Sequence, residues 1–288
     1  MRLRSYGKIN LGLRVLGRRP DGYHEIETLL QTIDLYDEIE LRPIPRAIRV
    51  HCAHPLVPED RTNLAYRSAH LLKETYKVRE GARITIKKEI PVGAGLGGGS
   101  SDGAVVLQGL AELWGLSLSA RELFSAAAQI GSDVPFFLKG GTALATGRGQ
   151  NLKYLSLPWG EIGFVVVYPR QVISSAWAYK SAKISLTQSR KYFNLKSLFR
   201  KGTFELSDLK TLVTNDLEKG VASKYPVIER AKEALLGEGA SAAAMTGSGS
   251  AVYGLFLAWE GARKAAHRMC RPEWDVFLTK PINPAEEE

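Results

Sequence analysis

The sequence predicts a mixed α/β (α+β) protein built as two domains. Three observations carry that expectation. Strand-like and helix-like runs alternate along the chain, 288 residues exceeds an ordinary single domain, and six glycines between Pro91 and Ala104 stand directly before a helix-like stretch. The first strand is "KINLGLRVLG" (Lys8–Gly17), where Ile9, Leu11, Leu13 and Val15 alternate with other residues. "RRPDGYHE" reads as a turn, since Pro presets one backbone angle and Asp-Gly tolerates another. "ETLLQTIDLYDEIELRPI", "IRVHC" and "ARITIKKEI" follow as further strands. Helices are expected over Thr62–Tyr76, entered through Asp60 or Thr62 as a cap, over Ser101–Trp114 and over Ser119–Ile130. "IGFVVVYP" is an apolar run of buried-strand type, and a last strand pair is expected around Ala242–Leu257 and Trp274–Thr279. Gly, Pro and polar residues cluster between 150 and 160, so the domains are expected at 1–155 and 156–288.

Composition narrows the class. A chain with 44% hydrophobic and 24% charged residues is ordinary for a soluble globular protein. Cys52 and Cys270 are too few for a disulfide framework and read as free thiols of a reducing compartment. The N-terminus has no apolar core of signal-peptide length, so a cytoplasmic location is expected. Ala240–Trp259 carries no charge over about the length of a membrane span, yet "TGSGS" in its middle would break a helix where lipid cannot satisfy the backbone. A strand, a glycine loop and a second strand or helix fit better, and no membrane partner is expected. The net charge of +9 gathers between Glu161 and Glu205, where Arg170, Lys180, Lys183, Arg190, Lys191, Lys196, Arg200 and Lys201 meet no acid. No aromatic RNA-binding pattern, zinc-finger spacing or helix-turn-helix accompanies them, so no nucleic-acid partner is expected. "HCAH" (His51, Cys52, His54) matches no metal spacing and has no second ligand cluster.

The glycine segment "PVGAGLGGGSSDGA" is the informative stretch. Gly93, Gly95 and Gly98 fit the dinucleotide pattern G-x-G-x-x-G, but that fingerprint closes the first strand of its domain, and here some ninety residues precede it. No G-K-[ST] ends it, and the protein-kinase partner motifs are absent. A phosphate cradle remains, opened by Pro91 and built from the main-chain amides of Gly93, Gly95, Leu96, Gly97, Gly98 and Gly99 and from a helix start, with Ser100 and Ser101 adding hydroxyls.

The same segment resembles the second motif of the GHMP kinases, the group named for galactokinase, homoserine kinase, mevalonate kinase and phosphomevalonate kinase. "GKINLGLRVLGRRPDGYHEIETLLQTIDLYDEI" resembles the first motif and "MTGSGSAVYGLF" the third, so three ordered motifs span Lys8 to Phe256. The resemblance implies the GHMP two-domain fold, a nucleotide domain like ribosomal protein S5 domain 2 followed by a ferredoxin-like domain. It also implies an ATP- and Mg2+-dependent kinase acting on a small molecule. "RPDGYHEIETL" and "GSDVPFFL" resemble members that phosphorylate the 2-hydroxyl of a cytidine diphosphate-linked methylerythritol. Other GHMP acceptors, a nicotinamide-dependent oxidoreductase and an RNA-binding protein on an S5-like fold stand as alternatives. Gly7 and Gly103 occupy positions where the family usually has alanine.

By this resemblance Asp133 accepts the hydroxyl proton and Lys8 orients the hydroxyl; the bland alternatives are a turn cap for Asp133 and a solvated strand lysine for Lys8. Asn10 lies on the same strand face as Lys8. Asn63 is assigned equally to adenine and to a helix cap. Tyr23 and His24 offer a stacking surface and a base-reading group, and Tyr179, with Trp177 as its rival, is the second aromatic. Thr246 and Gly247, from the third motif, complete the acceptor set. Mg2+ is expected on phosphates and water, with no protein ligand named.

Overall fold

The computed structural model describes residues 1–182 and 209–284. The chain divides into two compact units, neither continuous in sequence. One comprises Met1–Gly7, Leu35–Val92 and Gly97–Gly140; the other comprises Lys8–Asp34, Gly93–Leu96 and Gly141–Glu288. Two long strands, β1 (Arg2–Arg18) and β2 (His24–Ile44), contribute residues to both.

In the first unit the C-terminal half of β2 pairs antiparallel with β4 (Gly81–Lys87), from Glu38 opposite Lys87 to Ile44 opposite Gly81. Strand β3 (Ile48–Cys52) runs parallel to β4. Ile39, Leu41, Val50 and Ile84 are buried, as are Ala65, Ala69 and Leu72 of helix α1 (Leu64–Tyr76) and Val106, Leu107 and Leu110 of α2 (Gly98–Leu113). The start of α1 is capped by Asn63, whose side chain accepts from the Ala65 N–H at 2.8 Å, and not by Asp60 or Thr62 as the sequence suggested. Asp60 instead folds its own turn, accepting from Thr62. Helix α3 (Ala120–Ile130) opens with a Ser119/Glu122 capping box. A four-residue helix α4 (Val134–Phe137), too short to show periodicity, follows. Gly103 lies where α1 and α2 approach closely: a Cβ there would meet Leu64 Cβ at 3.3 Å, and the Gly103 carbonyl accepts from Ser68 Oγ at 2.7 Å. The helix-propensity cost of this glycine, about 1 kcal/mol against alanine, is therefore set against closer helix packing.

In the second unit β8 (Thr214–Asn215) pairs parallel with β1, and β5 (Thr142–Gly147) pairs with β2 and with β6 (Asn151–Leu155). Thus "GGTALATGRGQ", unassigned from sequence, begins a hairpin. A separate antiparallel sheet has the order β11-β7-β10-β9, with β7 at Gly163–Tyr168, β9 at Ala242–Met245, β10 at Val252–Phe256 and β11 at Asp275–Thr279. All six residues of β7 are buried, which is why it reads as an unbroken apolar run. Among the described residues the unit also has helices α5 (Ser175–Ser181), α6 (Leu209–Leu212), α7 (Glu218–Ala222), α8 (Val227–Gly237) and α9 (Trp259–Arg268). Its core gathers Val165, Val167, Ala231, Leu235, Met245, Ala262 and Ala265. The uncharged Ala240–Trp259 stretch forms β9, a glycine turn and β10, and no described helix is long and apolar enough to cross a membrane. Of the basic run, Arg170 is ion-paired with Asp275 at 2.6 Å; the run from Lys183 to Lys201 lies outside the described residues.

Candidate active site

Strand β1 aims Lys8 and Asn10 to one side, and the second unit builds a polar constellation on that side. Lys8 is 3% exposed, so it is not a solvated strand lysine. Its ammonium donates to Asn10 Oδ1 at 2.5 Å and to the Gly95 carbonyl at 2.7 Å. Asn10 Nδ2 donates to Thr28 Oγ1 at 2.8 Å, and that hydroxyl donates onward to the Gly12 carbonyl at 2.7 Å. Thr246 Oγ1 accepts from the Asn10 backbone N–H at 2.9 Å. A Cβ on Gly247, whose φ is +54°, would meet the Gly95 carbonyl, Asn10 Oδ1 and Lys8 Nζ, all within 3.3 Å. Four of the expected residues (Lys8, Asn10, Thr246, Gly247) and the Gly95 carbonyl therefore meet at one point. The Lys8 N–H also donates to the Leu96 carbonyl, and the Ala251 N–H donates to that of Ala94, which seats this part of the glycine segment between β1 and the third motif.

The aromatic residues lie in the same unit. His24 and Tyr179 stack with ring centroids 5.1 Å apart and planes 18° from parallel. Trp177 instead packs edge-on against Tyr225, with Lys224 over its ring. Tyr23 is 54% exposed and carries the Arg148 guanidinium 4.8 Å above its ring. Burial, and then the charge of Arg18, hold the His24 imidazole below its usual range. A neutral ring offers one donor and one acceptor, the pair needed to read a base edge.

In the first unit, positive φ at Gly97 (+75°) turns the chain into α2 three residues earlier than the Ser101 start expected from sequence. No side chain caps that helix and no acid sits in its first turn. Its first N–H groups are thereby suited to an anion. Pro91 and Ser100 are half-buried, Gly99 is exposed and Ser101 is buried. Gly98 has another duty: a Cβ there would meet Lys88 Nζ at 2.9 Å and Ile90 Cγ2 at 3.0 Å. Beneath it Lys88 forms ion pairs with Asp37 and, at 3.1 Å, with Asp102, all three side chains being buried. Asp37 also accepts from the Glu89 and Ile90 N–H groups at 2.7 and 2.9 Å. One ammonium thus serves two carboxylates, and burial pushes Asp102 up to about 7 against the pull of Lys88. This triad was not foreseen from sequence, because its members stand 51 and 14 residues apart. The only local sign is a charge inside each of two apolar strand patterns.

Asn63 spends its oxygen on the α1 cap and one N–H on the Pro58 carbonyl at 2.7 Å. Asp133 precedes α4, and its side chain makes no capping hydrogen bond. His51 pairs with Glu59 at 2.9 Å, and among the described residues no three His, Cys, Asp or Glu are placed to hold a metal.

Family models described as GHMP kinases N terminal domain and GHMP kinases C terminal match residues 63–141 and 195–272. A 4-diphosphocytidyl-2-C-methyl-D-erythritol kinase from Gloeobacter violaceus is 44% identical over 276 residues, covering 93% of this chain and 87% of that one. One from Acetivibrio thermocellus is 40% identical over 282 residues, covering 97% and 98%. A crystal structure of 4-(cytidine 5'-diphospho)-2C-methyl-D-erythritol kinase superposes with a TM-score of 0.80 at 32% identity, over 98% of this chain and all of that one.

Proposed function

This chain belongs to the GHMP kinase family, and from that premise we propose that it transfers the γ-phosphoryl of ATP to the 2-hydroxyl of 4-diphosphocytidyl-2-C-methyl-D-erythritol, a step of the non-mevalonate route to isoprenoid precursors. It is a phosphotransferase that uses ATP, as its family does. The acceptor reading rests on one observation above the rest: an imidazole held neutral and stacked on Tyr179, next in sequence to the exposed Tyr23. These groups suit a pyrimidine head, with the ring between Tyr23 and Tyr179 and its edge read by His24.

Phosphoryl transfer leaves the protein mainly positioning and charge stabilisation to supply. Lys8, with its ammonium already fixed by Asn10 and the Gly95 carbonyl, orients the attacking hydroxyl and offsets its growing charge. Asp133 accepts the proton. A carboxylate is too weak a base to ionise an alcohol beforehand, so the proton moves late, as the oxygen–phosphorus bond forms. The uncapped start of α2 and the left-handed glycines Gly93, Gly95 and Gly97 suit the nucleotide phosphates. Bound ATP would supply the transferable phosphoryl group, and Mg2+, held mainly by phosphates and water, would offset their charge. An adenine contact from Asn63 would use the second N–H of its amide. The domains proposed at 1–155 and 156–288 share the acceptor: the first carries the phosphate loop together with Lys8, Asn10, Tyr23 and His24, and the second adds Tyr179, Thr246 and Gly247, in a cytoplasmic enzyme.

The experiment is direct: incubate the protein with ATP, Mg2+ and the cytidine acceptor and measure ADP. ADP release only with homoserine or mevalonate would overturn the acceptor assignment. Nicotinamide-cofactor binding, or RNA binding that weakens steeply with salt, would point to the other classes.

A further inference from the structure

Asn215 is absent from all three motifs, yet its side chain brackets the residue that fixes Asn10. It lies on β8, opposite Leu13 of β1 in a parallel register, and is 9% exposed. Its amide nitrogen donates to the Met245 carbonyl at 2.6 Å and to the Gly247 carbonyl at 2.8 Å, so its two N–H groups straddle Thr246. Its oxygen accepts from the Leu217 N–H at 2.9 Å. Strand β8 is itself tied to β1, since the Asp216 N–H donates to the Leu13 carbonyl at 3.0 Å and the Val15 N–H to Asp216 Oδ2 at 2.8 Å. Both ends of the bracket are therefore referred to the strand that carries Lys8.

We infer that Asn215 is a positioning residue for phosphoryl transfer: by clamping the peptides on either side of Thr246, it sets the Thr246 hydroxyl against Asn10 and the Gly247 backbone against the Lys8 ammonium. This rests on the reading of Lys8 given above. The relay has four links: the Asn215 amide to the two carbonyls, those peptides through the covalent chain to Thr246 Oγ1, that oxygen to the Asn10 N–H at 2.9 Å, and Asn10 Oδ1 to Lys8 Nζ at 2.5 Å. Thr246 is fully buried and its N–H donates to the Ala251 carbonyl at 2.9 Å, so its hydroxyl moves with the peptides on either side of it. An amide is the fitting side chain here, as it alone among residues of this size donates twice from one atom and accepts at the other.

Asn215→Asp separates the clamp from the turn. It keeps an oxygen for the Leu217 N–H and loses both donors. A shift of about 1 Å at a positioned group costs on the order of 100-fold in rate. Turnover of Asn215→Asp and of Asn215→Ala should each fall about 100-fold, with KM for ATP and for the acceptor within about threefold of wild type. Thr246→Val should show a similar loss, and the Asn215→Asp/Thr246→Val double variant should be no worse than about 100-fold, because both act through one oxygen. If Asn215→Asp does not fold, as judged by melting, Asn215→Ser is read in the same cycle. Turnover of the Asn215 variant near wild type, losses that multiply in the double variant, or a loss seen in KM alone would each overturn the clamp. Lys8→Met separates this from the underlying reading: wild-type turnover in Lys8→Met overturns the role of Lys8 and the clamp with it. Wild-type turnover in Asn215→Asp beside an inactive Lys8→Met overturns the clamp alone.

Discussion

Gly95→Ala is expected to cripple turnover more than it harms the fold. Gly95 has φ +81°, and a Cβ placed on it would stand 2.2 Å from the Thr246 carbonyl oxygen and 3.1 Å from the Gly249 nitrogen. Ordinary contact begins at 3.4 Å, so the two backbones must separate by roughly 1 Å. The displaced groups are the ones that hold Lys8: the Gly95 carbonyl accepts from its ammonium at 2.7 Å, and Thr246 fixes Asn10. A misplacement of that size costs on the order of 100-fold in rate. The left-handed backbone adds about 1–2 kcal/mol of strain for a residue with a Cβ, and overpacking adds about 1–3 kcal/mol. For a chain of this size that is a drop of several degrees in Tm. Turnover is measured by ADP release, and melting is followed on the same preparation. An alanine variant with turnover within threefold of wild type would refute the argument that the glycine segment and the third motif are in fixed register at Lys8.

Asp102→Asn should flatten the pH dependence of stability. Burial raises Asp102 from 3.8 to about 7 against the pull of Lys88, so over that window the folded protein holds this proton more tightly than the unfolded chain does and stability falls as pH rises. An unchanged slope of Tm against pH in the variant would refute it. Asp133→Asn should lower turnover by several orders of magnitude with ATP binding nearly intact. Melting should hold, because the carboxylate makes no capping bond to α4; unchanged turnover removes Asp133 from the mechanism. His24→Ala should weaken acceptor binding by about 1–3 kcal/mol, five- to 150-fold, and leave ATP affinity within about a factor of two. Equal losses for both ligands in matched titrations would mark a structural histidine.

Local signals determined much of this protein. The alternation from Ile9 to Val15 and the apolar run of β7 announced their strands, because burial on one face or on both writes a pattern into neighbouring residues. Gly-rich punctuation marked both loops of the site, since few residues other than glycine accept positive φ. Three ordered motifs mark Lys8, Asn10, Thr246 and Gly247 as candidates, and the fold brings the four together. Helix α9 falls outside the sequence expectations, because its buried residues are only Ala262 and Ala265 and its amphipathic character comes from its charged face. The tertiary structure alone decided four matters: that Tyr179 and not Trp177 meets His24, that Lys8 is buried among acceptors, that Lys88 lies under Gly98 between two acids, and that Asn215 brackets Thr246. Each rests on at least one contact between residues 30 or more positions apart. Such contacts follow from strand register and chain crossing, and a hydrogen bond made at long range leaves no periodicity in the sequence that makes it.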